Sequence, residues 1–223
     1  MSMSTIFPRR GRFAGAILAF CAAAAFSAGV AAQGLAEGTH FLRLKNPQPV
    51  ETGKNIEVIE FFSYGCPHCG ELEPQLQAWL KTKPADVTFR RIPVMFQPRW
   101  EGLAKVYYTL EALGEEAKYM LEVFTALHGK GLHLWDEKVF LDWAASKGMD
   151  RKKVEDMWKS FGIAGKVNRA KQLAGAYQIQ SVPTIIVDGK FTTGSERLPG
   201  GHASVPPAID ALVAKARAER PKS

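Results

Sequence analysis

Two cysteines separated by two residues, Cys66 and Cys69, are the side chains with the clearest chemistry in this 223-residue chain. They lie in the motif Cys66-Pro67-His68-Cys69, shortly after an apolar run that ends at Phe62. Proline is favoured at the first position of a helix, because its missing N–H would have no partner there. We therefore expect a strand, a tight turn and a helix that begins at Pro67, with Cys66 as its N-cap. Both sulfurs would then lie on one side of the first helical turn, close enough to form a disulfide.

This placement would tune the thiol chemistry of the pair. A thiolate is the attacking and the leaving species in disulfide exchange, so any group that stabilises a sulfur anion favours the reduced form. Cys66 would face free N–H groups and the positive end of the helix dipole, and His68 could add a positive charge near neutral pH. A stabilised reduced form makes the disulfide form an oxidant. We therefore predict a disulfide donor in which substrates attack Cys66, and in which Cys69 is the more buried sulfur.

The first 32 residues have the pattern of an export signal. Basic residues at the start, Arg9, Arg10 and Arg12, precede an apolar run rich in alanine, and small residues at 30–32 fit a signal-peptidase site. A retained membrane anchor is the alternative, but the run is diluted by alanine and glycine and is barely long enough to span a bilayer. We predict a cleaved signal peptide, 1–32, and an oxidising compartment for the rest of the chain.

Cleavage would also decide how the cysteines are used. Of the three cysteines, Cys21 would leave with the signal, so that Cys66 and Cys69 remain. A disulfide that closes so short a loop adds little stability. A structural zinc site needs four ligands, and no second cysteine pair exists to supply them. Redox chemistry without a metal or a cofactor is therefore the favoured use.

The charge of the chain argues against a nucleic-acid partner. The formal net charge is +7, and loss of the three signal-peptide arginines, with no acidic residue before Glu37, lowers it to +4. That value is mildly basic, and no cluster of lysine and arginine alternates with aromatic residues as a base-stacking surface would require. We therefore predict that the chain does not bind nucleic acid.

The hydrophobic pattern changes its period twice along the chain. Strand-like runs at 55–62 and 86–93 give way to helical spacing, which includes a helix expected from Asp150 to about Gly162. Strand character then returns just before a hairpin signal at Asp188-Gly189. A loop rich in glycine and proline precedes a last helix, expected from 208 to about 220.

This order of elements predicts an α/β protein: a thioredoxin-like fold with an inserted all-α helical domain. We place the thioredoxin-like domain at 33–94 and 178–223 and the helical insertion at 95–177. A chain of this length can hold a core domain together with such an insertion.

The sequence also resembles a known family, the DsbA-type periplasmic thiol:disulfide oxidants, over nearly all of the chain after the signal. The resemblance rests on residues 60–64, which lead into 66–69, and on Ser181-Val182-Pro183-Thr184 at the start of the late strand. The choice of Pro-His between the cysteines is specific, whereas a Cys-x-x-Cys spacing alone is not.

The resemblance implies roles for residues near the cysteines. In the family the proline that matches Pro183 is cis and stands beside the disulfide, and the residue that matches Val182 offers its backbone to bound peptide. Tyr64, Thr184 and the loop near Gly194 would border a shallow peptide groove. An ordinary trans proline at the start of a strand is the alternative for Pro183.

The resemblance also implies partners. Substrates would be reduced or unfolded exported proteins, and a quinone-linked inner-membrane protein of the DsbB type would re-oxidise the chain, which we expect to act as a monomer. A reductase or isomerase of the same fold is one alternative. Isomerases usually carry an N-terminal dimerisation domain, for which the short stretch before Glu57 leaves no room. A non-enzymatic peptide-binding holdase is the other alternative.

Glu60 is the remaining candidate, because it lies within an apolar strand whose two faces should both be buried. Desolvation would raise the pKa of its carboxyl and let it pass a proton to the sulfurs; a glutamate that reaches solvent at a strand end is the alternative. The family places a buried basic partner on the next strand, where Arg90 and Arg91 both qualify and the sequence does not choose. The other histidines are expected on the surface or in packing rather than as ligands: His40, His128, His133 and His202.

Overall fold

A five-stranded mixed sheet lies at the centre of the computed structural model, which describes residues 34–220 together with Met1 and Met3. Its strands are β1 (Leu42–Arg43), β2 (Ile56–Phe62), β3 (Val87–Pro93), β4 (Thr184–Val187) and β5 (Phe191–Thr193). The strand order is β1-β5-β4-β2-β3, in which β2 and β3 are parallel and all other neighbours are antiparallel.

The helices of the described residues fall into two groups, one on each side of the sheet. Their bounds are α1 (Pro67–Leu80), α2 (Arg99–Ala112), α3 (Glu116–Phe124), α4 (Glu137–Ser146), α5 (Arg151–Trp158), α6 (Phe161–Ala176) and α7 (Val205–Glu219). A π-helical turn, Thr125–Gly129, extends α3, and 3₁₀ turns cover Ser195–Arg197 and Gly201–Ser204.

Both faces of β2 are covered, which explains its nearly continuous apolar sequence. Ile56 and Val58 lie in a core with α1 and α7. Ile59 and Phe61 lie in a second core, formed with α2 to α6. Because side chains alternate along a strand, Glu60 lies on the same side as Ile56 and Val58, toward α1.

The helices α2 to α6 follow one another between β3 and β4, in the place where the helical insertion is predicted. Their apolar side chains form one continuous core with a face of the sheet. The boundaries at 95 and 178 therefore stay a prediction, because the packing shows no gap there.

The predicted signal peptide, 1–32, lies outside the described residues apart from Met1 and Met3. In the part of the chain that the structure describes, no helix has both the length and the apolar character needed to cross a bilayer.

The last helix begins earlier than predicted. α7 starts at Val205 instead of 208, and Pro206 and Pro207 lie in its first turn. Proline is tolerated there because the first backbone N–H groups of a helix have no intrahelical partner. The prediction assigned both prolines to the preceding loop and was wrong by about one turn.

The helix predicted from Asp150 to about Gly162 ends about one turn earlier than predicted, and the helix that follows it begins earlier. α5 ends at Trp158, and Ser160 caps α6, its hydroxyl oxygen accepting a hydrogen bond from the N–H of Ile163 at 3.3 Å. Gly162 therefore lies in the first turn of α6.

Candidate active site

The two cysteines lie at the start of α1, just beyond the carboxyl end of β2. Cys66 is the N-cap residue with an extended backbone (φ −102°, ψ 113°), and Pro67 is the first helical residue, as predicted. The Cys66 sulfur lies beside the N–H groups of His68 and Cys69 without closing a cap hydrogen bond at the usual distance. Both cysteines are thiols in this structure.

Burial distinguishes the two sulfurs. Cys66 keeps 9% of its surface exposed, whereas Cys69 keeps 1%. A substrate thiol approaching from solvent can therefore reach Cys66 and not Cys69.

The loop before β4 brings a second segment against Cys66. The peptide bond between Val182 and Pro183 is cis, as the resemblance implied. The Cys66 thiol donates a hydrogen bond to the Val182 carbonyl oxygen at 3.4 Å. Thr184 is half-buried, and its hydroxyl donates to the Ser181 carbonyl at 2.8 Å. Val182 thus lies next to Cys66, and Pro183 and Thr184 follow it in the same segment, where β4 begins.

Tyr64, predicted to border a peptide groove, has a buried side chain, so it could line such a groove only through its backbone. The residue is 1% exposed, and its ring packs against Phe62 and Phe124 at centroid distances of 5.3 and 5.1 Å. The two aromatic neighbours hold it inside the core because the turn after β2 directs its ring toward α3.

Two glycines let the helical segment pack closely around the motif. A Cβ atom on Gly65 would lie 2.3 Å from Nε1 of Trp100, and one on Gly70 would lie 3.0 Å from the Phe124 ring. Larger residues at Gly65 would push the indole away from the turn. Trp100 and Phe124 therefore fix the turn and α1 from the side of α2 and α3.

His68 lies at the surface rather than over the sulfurs. Its side chain is 69% exposed, and its Nδ1 atom lies 2.9 Å from a carboxylate oxygen of Glu71. This hydrogen bond raises the pKa of His68. The histidine lowers the pKa of Cys66, but less than the Cys69 thiol and the backbone N–H groups do.

Glu60 is buried and paired, and its partner is Arg91. The Nε atom of Arg91 donates to Oε2 of Glu60 at 2.9 Å, across the register that pairs these two residues on β2 and β3. Arg90 points to the other side of the sheet and binds Glu57 at 2.8 Å. The strand-end alternative for Glu60 does not hold, since the residue is 1% exposed.

Sequence reasoning missed two further members of this cluster. Glu73 on α1 accepts from Nη2 of Arg91 at 2.9 Å, and Glu116 on α3 accepts from Nη1 at 2.9 Å. The sequence could have indicated that Glu73 is buried, because helical spacing places it on the apolar face of α1 beside Leu72 and Leu76. No sequence pattern indicates the contact of Glu116 with Arg91, because it depends on how α3 packs on the sheet.

Comparisons with known proteins agree with this geometry. The family model of the DSBA-like thioredoxin domain matches residues 57–203. The thiol:disulfide interchange protein DsbA of Bordetella parapertussis is 36% identical over 202 residues, which cover 91% of this chain and 95% of that protein. The protein of the same name from Burkholderia cepacia is 41% identical over 161 residues, covering 71% of this chain and 76% of that protein.

Solved structures give the same result. The crystal structure of Pseudomonas aeruginosa DsbA has a TM-score of 0.78 and 37% identity, and the match covers 82% of this chain and 95% of that chain. The chain belongs to the DsbA family. Membership confirms the predicted thioredoxin-like fold and the predicted enzyme class, a thiol:disulfide oxidoreductase. The roles of the individual residues stay predictions.

The electrostatics of this DsbA-family site separate its two thiols. Hydrogen bonds from the Cys69 thiol and from backbone N–H groups lower the pKa of Cys66 to about 6, against the opposing effect of burial. Burial, the hydrogen bond to Cys66 and the charge of Glu60 raise the pKa of Cys69 well above its ordinary value. Near neutral pH the pair therefore holds one thiolate, on the more exposed sulfur.

The carboxyls of the buried acidic cluster around Arg91 have raised pKa values. Three carboxylates surround the single guanidinium of Arg91, which cannot balance all of them. Burial raises the pKa of Glu73 to about 7 and also raises the pKa of Glu60. Such a shared site can release or accept a proton when a nearby sulfur changes its charge.

The lowered pKa of Cys66 predicts a pH-dependent stability of the reduced form. A thiol whose pKa falls on folding adds stability above its unfolded pKa, and this stability is lost as the pH falls through the folded value of about 6. Between pH 6 and 8.5 the unfolding free energy of the reduced form should rise by about 1.4 kcal/mol per pH unit relative to the oxidised form. Both forms contain the acidic cluster, so their difference isolates the thiol.

Denaturant unfolding of the two forms at pH 5.5, 7 and 8 measures this difference, with a reductant that contains no thiol. The Cys66→Ser variant, which cannot form the disulfide, is the control: its unfolding free energy relative to that of the oxidised wild type should show no such rise. A difference that stays constant between pH 6 and 8 would contradict the assignment of a thiolate to Cys66.

Proposed function

We propose that this DsbA-family chain donates the Cys66–Cys69 disulfide to reduced proteins after their export. The observation that carries the proposal is the opposite tuning of the two thiols: the pKa of Cys66 is lowered to about 6 while that of Cys69 is raised. Stabilising the Cys66 thiolate favours the reduced form of the pair, and this makes the oxidised form a donor of its disulfide.

The reaction proceeds in two exchange steps. A substrate thiolate attacks Sγ of Cys66, the Cys66–Cys69 bond breaks, and its electron pair leaves on Cys69. A second substrate thiolate then attacks the substrate sulfur of the mixed disulfide, and Cys66 leaves as a thiolate. The substrate loses two electrons and gains a disulfide, and the chain gains two electrons. The low pKa of Cys66 makes it a good leaving group in the second step.

The first step needs a proton for Cys69, because a thiol with a raised pKa is a poor leaving group as an anion. The charge of Glu60 acts on Cys69, and Glu60 shares Arg91 with Glu73. We assign the proton that reaches Cys69 to this carboxyl pair, with Glu60 as the relay because its charge acts on Cys69.

We assign substrate binding to the segment around the cis peptide bond between Val182 and Pro183. The Val182 backbone lies against Cys66, so a peptide that pairs with it would bring its own cysteine to the exposed sulfur. A surface pocket of about 370 Å³ beside it is lined by residues that include Ser181, Thr184 and Arg197. Glu196 and Arg197 bring the loop after Gly194 to this pocket, whereas Cys66 and Val182 are not among its lining residues.

The compartment and the partners follow from the export signal and the family. We propose a periplasmic location after cleavage of 1–32, action as a monomer, and re-oxidation by a quinone-linked inner-membrane protein of the DsbB type. The N-terminal pattern of basic residues, apolar run and small residues supports the location.

An experiment that contains no other oxidant tests whether the disulfide passes from this protein to its substrate. Oxidised protein is mixed with an equimolar amount of a reduced, unfolded protein that has two cysteines, and thiols on both proteins are labelled at intervals. We expect one substrate disulfide for each Cys66–Cys69 pair that becomes reduced, and none from protein reduced beforehand. A substrate that stays reduced while the chain stays oxidised would contradict donation and favour the reductase alternative.

Inner-membrane vesicles that contain a quinone then test the partner. Added to the reduced protein, they should restore the Cys66–Cys69 disulfide, whereas vesicles depleted of quinone should not. Equal re-oxidation by both kinds of vesicle would contradict a quinone-linked partner.

A further inference from the structure

Within the described residues, a histidine of the cysteine motif meets a histidine from a distant part of the chain. His68 lies in the first turn of α1, and His202 lies in the 3₁₀ turn Gly201–Ser204. Their rings stack with centroids 6.2 Å apart and planes 26° apart. Glu71 lies one turn further along α1, with Oε2 2.9 Å from Nδ1 of His68.

These three side chains offer three donor atoms in a small volume. One ring nitrogen from each histidine and one carboxylate oxygen of Glu71 lie within 4.8 Å of one another. In a tetrahedral zinc site the donor atoms are ~3.4 Å apart, because Zn–N and Zn–O distances are about 2.0–2.2 Å. No two of these atoms therefore need to approach by more than ~1.4 Å, and Nδ1 of His68 and Oε2 of Glu71, 2.9 Å apart, would separate slightly to hold an ion. Exposed side chains can make that movement by rotating, and His68 and Glu71 are 69% and 57% exposed.

His202 would be the fixed member of the set. It is half-buried in a turn that packs against α1. Its Nε2 atom is buried and has no hydrogen-bond partner among the described residues. Buried polar atoms in folded proteins nearly always have a partner, so a ring nitrogen that the protein leaves unpaired is free to serve a ligand.

We propose that His68, Glu71 and His202 bind a divalent transition-metal ion, with Zn²⁺ as the expected occupant, at the rim of the cysteine motif. Two imidazoles suit zinc and its neighbours in the first transition row, whereas Mg²⁺ and Ca²⁺ prefer oxygen ligands alone. Three protein ligands leave a fourth position for water or for a ligand from a substrate.

The site lies where an ion would affect access to the reactive sulfur. His68 is two residues from Cys66, and Glu71 lies on the same exposed end of α1. A bound ion would add a stronger restraint on His68 than its hydrogen bond to Glu71, and would place two positive charges next to the path of an approaching substrate. Substrates with acidic residues beside their cysteine would then be favoured over basic ones.

Calorimetric titration of the oxidised protein with Zn²⁺ alone tests the proposal. The disulfide form is used because Cys66 and Cys69 then offer no thiolate to the metal. We expect one ion per molecule, and binding at least about tenfold weaker in His202→Gln, since even the loss of an outer-shell partner of a metal ligand costs 10–100-fold in affinity. His133→Gln is the matched control, because His133 stacks on Trp135 at 4.4 Å and is not a member of the cluster.

Glu71→Gln keeps the proposal testable if His202→Gln does not fold, because Glu71 is exposed and its replacement should leave the fold intact. It should weaken Zn²⁺ binding while the protein unfolds at an unchanged denaturant concentration. Absence of binding to the oxidised protein, or equal binding in wild type and in both variants, would overturn the site. The measurement involves no thiol exchange, so its failure would leave the proposed donor function untouched.

Discussion

Replacing Cys66 by alanine is expected to reduce disulfide transfer to the uncatalysed rate, whereas replacing Cys69 by alanine should trap substrates on the protein. Cys66 is the accessible sulfur with the lowered pKa, so without it no mixed disulfide can form. Cys69 is buried and acts as the leaving group of the first step. A Cys69→Ala protein still has the attacking thiolate and lacks the thiol that would release a bound substrate.

Non-reducing gel electrophoresis after incubation with a substrate disulfide measures the trapped species. We expect a covalent adduct with Cys69→Ala and none with Cys66→Ala. The reverse pattern, an adduct with Cys66→Ala alone, would show that substrates attack Cys69 and would contradict the assigned roles. A non-enzymatic holdase would instead bind peptide equally well in both variants.

Replacing Arg91 by methionine is expected to destabilise the protein by about 3–5 kcal/mol, the cost of leaving buried charges without a partner. The guanidinium bonds to Glu60, Glu73 and Glu116, and the first two are buried to 1% and 2% exposure. Arg151→Met is the control, because the surface pair of Arg151 with Asp142 should be worth about 0–1 kcal/mol.

The pH dependence of the stability lost in Arg91→Met shows whether charge or packing causes that loss. Without Arg91 the carboxyls can fold only as neutral acids, so their folded pKa values rise and the penalty grows as the pH rises above their unfolded values. Chemical unfolding should show a larger loss for Arg91→Met at pH 8 than at pH 5, and Glu60→Gln with Glu73→Gln should restore much of it. An equal loss at both pH values would mean that packing of the arginine stem, and not charge, is responsible.

The local signals around the motif were strong enough to predict its geometry from sequence. Pro67 fixes the start of α1, and the apolar residues before it fix β2, because both effects act over a few residues. The cap position of Cys66 and the greater burial of Cys69 follow from these two elements. The family resemblance added the cis bond before Pro183, which no local pattern dictates.

The choice between Arg90 and Arg91 could not be made from sequence. Both residues lie on β3, and a shift of one residue in register would exchange the faces to which they point. The parallel pairing of β2 with β3 sets Arg91 opposite Glu60. Only the register, which is a tertiary property, decides the partner.

Contacts between segments that are distant in the chain also could not be predicted from the sequence. His202 reaches His68 because the 3₁₀ turn before α7 packs on α1, and Tyr64 is buried because α3 covers the turn after β2. Neither contact leaves a periodic pattern, since each depends on how two separate elements pack. The burial of the Tyr64 side chain and the pairing of His68 with His202 were therefore not predicted.

The central claim is that the thiolate of Cys66 is stabilised enough to make the disulfide an oxidant, and the redox potential of the pair tests it most directly. The protein is equilibrated in glutathione buffers, and the fraction oxidised is followed by tryptophan fluorescence, to which Trp100 contributes from its place against Gly65, next to Cys66. We predict a potential clearly more oxidising than the approximately −270 mV of thioredoxin, with about 30 mV for each 1.4 kcal/mol of stabilisation of the reduced form. A potential at or below that of thioredoxin would contradict the account.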